Sequence, residues 1–512
     1  MITKIILFTL LLPLNIFYIL NNLYFYQLKN YKLNNYLQFC KNKKRIIINS
    51  LISVLACLCL IFIKNVIIYT IFSCFLVIFY IIFEVVNYFA PKKIKLNFTQ
   101  KIRRLFIANI FLIFAVDILM LLFVPSKVFV IFACASMLYK DAVIFVVNVS
   151  WLPYEKRINR KYMERAKLKL IARNIEVIGI TGSVGKTSVK NYLSTLLGGQ
   201  NAVASPRSYN TPLGLTKAIN DLDDNCKIFV AEMGARKRYQ IDELCRLTNP
   251  NNAIITNVSP AHIETFGSVE NIYKTKKELS DYCKGTVIFN IDNEYVKKMY
   301  DERKLSKISV STRQKADYFA SDIKFDLSGS SFTLHVGDKK YEVHTRLIGE
   351  HNVVNLTLAI ACACLYDDIE NILPKIENVK AEPHRLELIK NQNGVIIIDD
   401  SYNASADSIR VALEVLKSIG TRKIIASPGM VEGGKMQYDI NYHFGAAAGK
   451  FVDYFIIVND TNKKAISDGL LSVGFENIIY AKNLAMAQGI FTKLLRAGDC
   501  LLILNDLPDD YN

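Results

Sequence analysis

The chain has 512 residues, 51% of them hydrophobic, and a formal net charge of +17. Because most of the apolar runs lie in the first third of the chain and the basic residues lie beside them, the charge favours an anionic membrane surface over nucleic acid. None of the eleven cysteines has the spacing of a zinc knuckle or of a CxxC redox pair, so we interpret them as reduced packing residues.

Five apolar runs predict membrane-spanning helices at the N-terminus, because each is long enough to cross ~30 Å of hydrocarbon. They are Ile2–Tyr26, Ile46–Ile63, Val66–Phe89, Leu105–Val124 and Val128–Val149. A buried soluble helix is the alternative for any single run, but five in succession favour a membrane region. The first run is too long for a signal-peptide core and has no small-residue cleavage site, so we expect it to be retained.

Basic residues predict the orientation of these spans. Clusters of Lys and Arg lie between spans one and two, between spans three and four, and after span five, whereas the other two loops hold one lysine each. The positive-inside rule then places the N-terminus outside and everything after span five in the cytoplasm, as in a multi-pass cell-membrane protein. Asp117, Lys140 and Asp141 fall within predicted spans, where we expect them to face other helices, either as pairs or as a functional site.

The rest of the chain alternates strand-like and helix-like segments, which predicts α/β domains with mostly parallel sheets. We predict a transmembrane region and linker over 1–165, a nucleotide-binding domain over 166–380 and a second, Rossmann-like α/β domain over 381–512. The segment Lys315–Leu347 alternates polar and apolar residues and predicts a small antiparallel excursion. The strands predicted for the last domain are Val395–Asp399, Lys423–Ala426, Tyr454–Val458 and Cys500–Leu504.

A glycine loop opens the second domain, between an apolar β-type run and a helix-like run. Its residues are Gly182, Ser183, Val184, Gly185, Lys186, Thr187 and Ser188. Strand, glycine turn and helix N-terminus form a phosphate cradle, in which Lys186 can reach the outer phosphates and the Thr187 hydroxyl can bind Mg²⁺. Because Ile180 occupies the position of the first glycine of the longer P-loop pattern, this is the shorter TGxxGKT form. A glycine turn that only joins two elements is the alternative.

Four further islands follow the loop, and groups at the carboxyl ends of strands in an open α/β sheet converge on one crevice. They are AEMGARKRYQI with Glu232, NVSPAHIETFGS with His262, NIYKTKKELS with Lys276, and the pair EPHRLE and IIIDDSYNASADS with Arg385, Asp400, Tyr402 and Asn403. A carboxylate, an imidazole and a guanidinium beside a phosphate cradle could hold MgATP. Taken singly, His262 is more typical of a structural residue, and Glu232 of a strand end.

Together and in this order, the islands resemble the Mur ligase family over Glu176–Leu504, and within it the branch that adds D-alanyl-D-alanine to a UDP-muramoyl-tripeptide. The most specific pieces are TGSVGKTSVK, AEMGA, AHIETFGS, GEHNVVN and DDSYNASADS. The resemblance implies that Lys186 and the loop bind ATP phosphates, that Thr187 and Glu232 bind Mg²⁺, and that His262 assists at a second Mg²⁺. Lys276 matches the family's carbamylated lysine, which helps to orient that metal.

The resemblance also implies nucleotide contacts from Asn352, Arg385 and Asp400. Asn210 and Thr211 match the loop that faces the acceptor, and Tyr402 and Asn403 are further candidates for binding substrate. The implied reaction is amide-bond formation through an acyl phosphate, with a carboxylate acceptor from cell-wall precursor synthesis and an amino acid or dipeptide as the amine. The domain with which the family grips the UDP-sugar is replaced here by apolar runs, so a membrane-held, lipid-linked acceptor is an alternative to the soluble one.

Two other functional hypotheses remain at this stage. A membrane-tethered nucleotide-binding regulator without ligase activity would be expected to lack Glu232, His262 or Lys276, and all three are present. A transporter ATPase would carry a hydrophobic run ending in the Walker-B acidic pair together with a family signature loop, a combination that the sequence does not contain. The sequence therefore favours the ligase.

Overall fold

The computed structural model describes residues 1–28, 31, 66–90, 95–198, 201–206, 209–260, 263–326, 328–390, 394–401, 406–418, 422–431 and 434–504. The chain divides into two compact units, Met1–Arg160 and Lys161–Asn512. Each unit is described by itself below.

The first unit is helical. Its helices are α1 (Ile2–Leu28), α2 (Val66–Phe89), α3 (Gln100–Phe123), α4 (Ser126–Cys134) and α5 (Ser136–Ala172), the last of which continues into the second unit. Three helices, Ile2–Leu28, Ile67–Phe89 and Gln100–Phe123, are long and apolar enough to cross a membrane. The predicted span Ile46–Ile63 lies outside the described residues.

The predicted fifth span is not one straight helix. Ser126–Cys134 and Tyr139–Ala172 are bent by 69° from each other, so this pair is a broken span or a re-entrant segment. The bend directly precedes Tyr139 and Asp141, whose side chains bond to Asp117 of α3 and Tyr18 of α1. These contacts join the start of α5 to α1 and α3, and the apolar length of the run could not predict them.

The helical unit has an apolar core, exposes further large apolar side chains and buries several polar ones. Phe75, Phe111 and Phe123 are 69%, 75% and 78% exposed. Inside, Asn15 Nδ2 donates to Asp117 Oδ2 at 2.8 Å and Asn21 Nδ2 donates to Glu84 Oε2 at 2.7 Å. Asp117 and Asp141 thus pair with other helices as expected, whereas within the described residues the fully buried ammonium of Lys140 has no hydrogen-bond partner. Interhelical polar bonds of this kind hold helices together where the solvent is apolar.

The second unit begins with a nine-stranded sheet. Its strands are β1 (Glu176–Thr181), β2 (Ala202–Ala204), β3 (Ile228–Glu232), β4 (Asn252–Ile255), β5 (Val287–Asn290), β6 (Lys307–Ser311), β7 (Tyr318–Asp326), β8 (Gly329–Val336) and β9 (Lys339–Thr345). They lie in the order β2-β3-β1-β4-β5-β6-β7-β8-β9. Strands β1 to β7 pair in parallel, and β7, β8 and β9 pair antiparallel, as the sequence predicts for Lys315–Leu347.

Helices cover both faces of this sheet, and two buried apolar clusters fill the layers between. They are α6 (Lys186–Leu196), α7 (Pro212–Asn220), α8 (Gln240–Thr248), α9 (Ile263–Phe266), α10 (Val269–Tyr282), α11 (Glu294–Glu302), α12 (Glu350–Ala363) and α13 (Ile369–Ile372), with a 3₁₀ turn at Leu373–Asn378. Strand β1 lies where the strand order reverses, with β3 on one side and β4 on the other. A ligand crevice is expected at the carboxyl end of such a strand.

The second sheet has six strands in the order β10-β11-β15-β12-β13-β14. They are β10 (Glu387–Lys390), β11 (Ile396–Asp400), β12 (Lys423–Ser427), β13 (Tyr454–Val458), β14 (Ile478–Ala481) and β15 (Cys500–Leu504), and only β10 runs antiparallel to its neighbour. The accompanying helices are α14 (Ala406–Ser418), α15 (Gln437–Ala448), α16 (Lys463–Ser472) and α17 (Leu484–Leu494), with a 3₁₀ turn at Gly434–Met436. The α/β class is confirmed, but the sequence did not predict the two edge strands β10 and β14.

A buried guanidinium ties the end of α10 to the strands that follow it. Arg303 is 8% exposed and donates to backbone carbonyls at 2.5–3.0 Å. These carbonyls belong to Ser280, Cys283, Gly285 and Ser306. Because α10 also carries Lys276, the contact fixes the backbone beneath a candidate site residue.

We expect Arg303→Met to lower the free energy of unfolding by about 3 kcal/mol, because it leaves several buried carbonyls without a donor. The measurement is thermal or chemical unfolding of the detergent-solubilised protein. Arg313→Met is the matched control, since Arg313 is 62% exposed and its ion pair with Glu350 lies at the surface. Equal stability of the two variants would contradict the prediction.

Candidate active site

The glycine loop has the backbone geometry of a phosphate cradle. Gly182 and Gly185 have φ angles of +154° and +85°, which residues other than glycine rarely adopt. A Cβ at Gly182 would meet Thr256 Oγ1 at 1.9 Å, and one at Gly185 would meet Asn355 Oδ1 at 2.6 Å. Helix α6 begins at Lys186, so its free N–H groups and dipole face the loop. Both glycines are therefore required by the close packing of the loop.

Asn257, just beyond β4, holds the first half of the loop. Its Oδ1 accepts from the backbone N–H groups of Ser183 at 3.1 Å and Val184 at 2.8 Å. The two amides that the sequence assigns to phosphate are thus occupied by a side chain. The backbone N–H groups at the start of α6 are therefore the ones left to bind an anion. Sequence reasoning missed Asn257, although it lies in the same island as His262.

Lys186 lies folded over the glycine loop. Its Nζ donates to the carbonyls of Gly182 at 2.8 Å and Ser183 at 3.0 Å. Burial lowers the pKa of the Lys186 ammonium to about 8, although Glu232 opposes this shift. The side chain therefore lies directly above the cradle, within reach of a phosphate bound there.

Glu232, the last residue of β3, is surrounded by donors. Its Oε2 accepts from Thr187 Oγ1 at 2.9 Å and lies 3.2 Å from Lys190 Nζ, and its Oε1 accepts from Asn210 Nδ2 at 3.0 Å. Burial raises the pKa of the Glu232 carboxyl, but the ammonium groups of Lys190 and Lys186 and the hydrogen bonds lower it overall. Glu232 is therefore an ionised carboxylate beside the cradle. The sequence analysis assigned no role to Lys190.

Lys276 lies on the buried face of α10, where its side chain is 3% exposed. Burial lowers its pKa well below the usual value, and the nearby ammonium of Lys186 adds to this effect, while Glu278 and Glu232 oppose it. A lysine with a lowered pKa is a better nucleophile because more of it is neutral. This is the electrostatic setting that a carbamylated lysine requires.

The last domain brings Arg385 to the same place. Arg385 Nη2 lies 3.5 Å from Thr187 Oγ1. Asp400 ends β11 and accepts from the Leu386 N–H at 3.2 Å, and its second oxygen has no partner among the described residues. The side-chain amide of Asn352 is hydrogen-bonded at both ends. Its Oδ1 accepts from Tyr192 Oη at 2.9 Å, and its Nδ2 donates to the Ile348 carbonyl at 3.0 Å.

The other residues singled out by the sequence are placed as follows. Thr211 is the N-cap of α7, where its Oγ1 accepts from Gly214 N at 3.3 Å, and Ser188 is buried on α6. His262, Tyr402 and Asn403 lie outside the described residues. The structure thus brings together Lys186, Thr187, Glu232, Lys276, Arg385 and Asn210.

The donor set suits Mg²⁺. The Thr187 hydroxyl and the Glu232 carboxylate are hard oxygen ligands 2.9 Å apart, which Mg²⁺ prefers, and they adjoin a cradle for the phosphates that usually share the metal. The residues therefore fit a magnesium–nucleotide complex. Three cationic side chains, Lys186, Lys190 and Arg385, would balance the charge of the polyphosphate.

Asp400 predicts a pH dependence of stability. Burial raises the pKa of its carboxyl to about 7, against opposing effects of the Leu386 N–H and Arg385. The folded protein keeps a proton on Asp400 that the unfolded chain loses near pH 4. The stability that this difference contributes is fully present below that pH and is lost as the pH rises through about 7. We expect the melting temperature of the wild type to fall more between pH 5 and pH 8 than that of Asp400→Asn, a difference on the order of degrees. Asp224→Asn, at an 87% exposed side chain, is the control that should behave as wild type. Parallel pH profiles of wild type and Asp400→Asn would contradict this assignment.

Two family models match the second unit. Residues 180–363 match the Mur ligase middle domain, and residues 384–505 match the Mur ligase glutamate ligase domain. The chain is 31% identical over 287 residues to the UDP-N-acetylmuramoyl-tripeptide–D-alanyl-D-alanine ligase of Bacillus subtilis, which covers 55% of this chain and 62% of the relative. The match to the enzyme of the same name from Mycobacterium bovis covers 50% of that relative, so the chain spans between half and two thirds of such relatives.

Solved structures show the same fold. A crystal structure of MurF from Acinetobacter baumannii has a TM-score of 0.62 at 23% identity, and covers 68% of this chain and 77% of its own. The MurF ligase of Thermotoga maritima in complex with ADP has a TM-score of 0.60 at 22% identity, and covers 68% of this chain and 80% of its own. At these identities the likeness concerns the fold alone. The residues before the matched segment include, among those that the structure describes, three helices long and apolar enough to cross a membrane.

Proposed function

Because the chain belongs to the Mur ligase family through its middle and C-terminal domains, we propose that it is an ATP-dependent ligase that joins a carboxylate acceptor to an amine as an amide. The observation that carries this proposal is the meeting of Lys186, Thr187, Glu232, Lys276 and Arg385 at the glycine loop. A phosphate cradle alone would serve any nucleotide-binding protein. The Glu232 carboxylate and the cationic side chains of Lys186 and Arg385 around that cradle suit phosphoryl transfer.

The proposed reaction has two steps. An oxygen of the acceptor carboxylate attacks the γ-phosphorus of ATP and releases ADP, which leaves an acyl phosphate. The amine then attacks the acyl carbon, loses a proton and releases phosphate, which leaves the amide. Phosphoryl transfer depends mainly on positioning and charge neutralisation. Lys186 is placed to neutralise the outer phosphates, and Arg385, reaching across from the last domain, is placed to close on the nucleotide.

The metal-binding residues of the proposal are Thr187 and Glu232, with Lys276 and His262 at a second position. Mg²⁺ would neutralise the phosphate charge that develops during transfer. A carbamate on Lys276 would give this buried side chain oxygen ligands, and the lowered pKa of the lysine favours the neutral amine that such a modification needs.

We further propose that the helical unit spans the cell membrane. Its helices expose many large apolar side chains, more than a water-soluble protein usually exposes together, and its buried polar side chains bond to one another between helices. The acceptor is then a cell-wall precursor held at the membrane, with D-alanyl-D-alanine or another amino acid or dipeptide as the amine. The alternative acceptor is the soluble UDP-muramoyl-tripeptide named for the relatives.

Phosphate release by the detergent-solubilised full-length protein tests the ligase. We expect release that requires ATP, an acceptor and an amine together, with one amide formed for each phosphate released. The competing hypothesis, a membrane-tethered regulator without ligase activity, predicts ATP binding with no amide under any combination of acceptor and amine. That result would overturn the proposal.

The orientation of the membrane unit is a separate prediction. The basic loops between the predicted spans place the catalytic unit in the cytoplasm and Met1 outside. We expect a C-terminal reporter that is active only in the cytoplasm to be active, and an N-terminal tag to be accessible from outside intact cells. An external C-terminus, or full recovery of the unmodified protein in the soluble fraction, would refute this topology.

A further inference from the structure

Lys190 forms a buried ion pair with the carboxylate that is proposed to bind the metal. The side chains of Lys190 and Glu232 are 1% and 2% exposed, and Lys190 Nζ lies 3.2 Å from Glu232 Oε2. The same oxygen accepts the Thr187 hydroxyl, and the other accepts the Asn210 amide. Both oxygens of Glu232 are therefore occupied by groups of the protein itself.

Helix geometry places the Lys190 side chain beside the other site residues of α6. Lys190 follows Lys186 by four residues and Thr187 by three, so the three side chains share one face of α6. A buried carboxylate without a counter-charge would be strongly destabilising, and the Lys190 ammonium supplies that charge within the protein. It does so whether or not a metal is present.

The ion pair has a consequence for metal binding. A divalent cation on Glu232 would stand within a few ångströms of the Lys190 ammonium, and like charges at that distance repel strongly in a buried site. The negative charge of a bound polyphosphate on the adjoining cradle would offset this repulsion. Free metal and metal–nucleotide complex should thus differ in affinity for this site more than they would without Lys190.

We propose that Lys190 is a positioning residue that holds Glu232 in place when no nucleotide is bound and excludes free divalent cations, so that the metal binds only together with nucleotide. The inference rests on the proposed function, since it takes Thr187 and Glu232 as the metal ligands. Lys190 would thus make metal binding depend on bound nucleotide.

Mn²⁺ binding to the full-length protein in detergent, followed by electron paramagnetic resonance with and without a non-hydrolysable ATP analogue, tests the proposal. We expect the wild type to bind Mn²⁺ at this site only with the analogue. Lys190→Met, which keeps the length of the side chain and removes its charge, should bind Mn²⁺ without the analogue at least tenfold more tightly than the wild type. Mg²⁺ alone should then raise the melting temperature of Lys190→Met but not that of the wild type.

Three further variants separate the possible outcomes. Lys190→Arg keeps the charge and should behave as the wild type, whereas Lys190→Met combined with Glu232→Gln should lose the gained Mn²⁺ binding. If Lys190→Met does not fold, Lys190→Gln, which keeps a hydrogen-bond donor for Glu232 without the charge, replaces it in the same measurement. Unchanged nucleotide-free Mn²⁺ binding in the neutral variants would overturn the role of Lys190. Failure of the wild type to bind Mn²⁺ even with the analogue would instead overturn the metal site itself.

Discussion

Lys186→Ala is expected to lower ATP-dependent phosphate release by about 10³-fold, which is the usual effect of removing one group that neutralises charge in the transition state. The Lys186 ammonium lies over the glycine loop, bonded to the carbonyls of Gly182 and Ser183. A bound phosphate would replace these carbonyls as its partner. Alanine cannot reach the phosphates, and the neighbouring ammonium of Lys190 is held in its ion pair with Glu232.

Lys274→Ala is the matched control for this variant. Lys274 lies on α10, is 48% exposed and pairs with Glu270 on the same helix. We expect its phosphate release and its melting temperature to equal those of the wild type. The melting temperature of Lys186→Ala should also be close to that of the wild type, since the lost bonds lie on a half-buried loop. Near-normal turnover in Lys186→Ala would remove the loop from the active site.

The sequence could predict the parts of the site that depend on local pattern. Strand, glycine turn and helix are contiguous, so the cradle from Gly182 to Thr187 follows from one short stretch. Glu232 could be placed because it ends a run of buried apolar residues, and parallel strands bring their carboxyl ends to one edge. Both arguments need only the order of residues and the class of the sheet.

The parts that were missed depend on contacts between segments distant in the chain. The i, i+4 spacing places Lys190 on the face of Lys186, but its partner Glu232 lies on another strand. The side chain of Asn257 contacts the glycine loop only because β4 lies next to β1. The sequence therefore indicated which residues carry charge without indicating which charges meet.

Edge strands and the bent span were missed for a related reason. Strands β10 and β14 are four residues long and each pairs on one side only, so their pattern is hardly distinguishable from that of a loop. The run Val128–Val149 is long enough to span a membrane, and length alone predicts a straight helix. The helix that follows the bend starts with Tyr139 and Asp141, whose side chains bond to other helices, and such contacts cannot be read from the length of the run.

The catalytic efficiency should also depend strongly on whether the acceptor is soluble or lipid-linked. A domain that binds the acceptor supplies orientation and effective concentration, which can lower a barrier by ~7–11 kcal/mol. The match covers 62% of the Bacillus subtilis relative, and apolar helices precede the matched segment in this chain. If those helices hold the protein where a lipid-linked acceptor lies, the membrane itself concentrates the acceptor beside the catalytic unit.

We therefore expect the full-length protein in lipid vesicles to use a lipid-linked carboxylate acceptor at least tenfold more efficiently, in kcat/KM, than soluble UDP-muramoyl-tripeptide. A shortened protein that starts near Tyr162 keeps the whole second unit except Lys161 and should lose this preference, since it keeps the catalytic residues but not the apolar helices. Its melting temperature and its binding of an ATP analogue serve as controls for folding. Equal and efficient use of the soluble acceptor by both proteins would show that the helices do not present the acceptor, and the soluble cell-wall precursor would then be the substrate. The comparison isolates the contribution of the membrane because the residues around Lys186 and Glu232 are the same in both proteins.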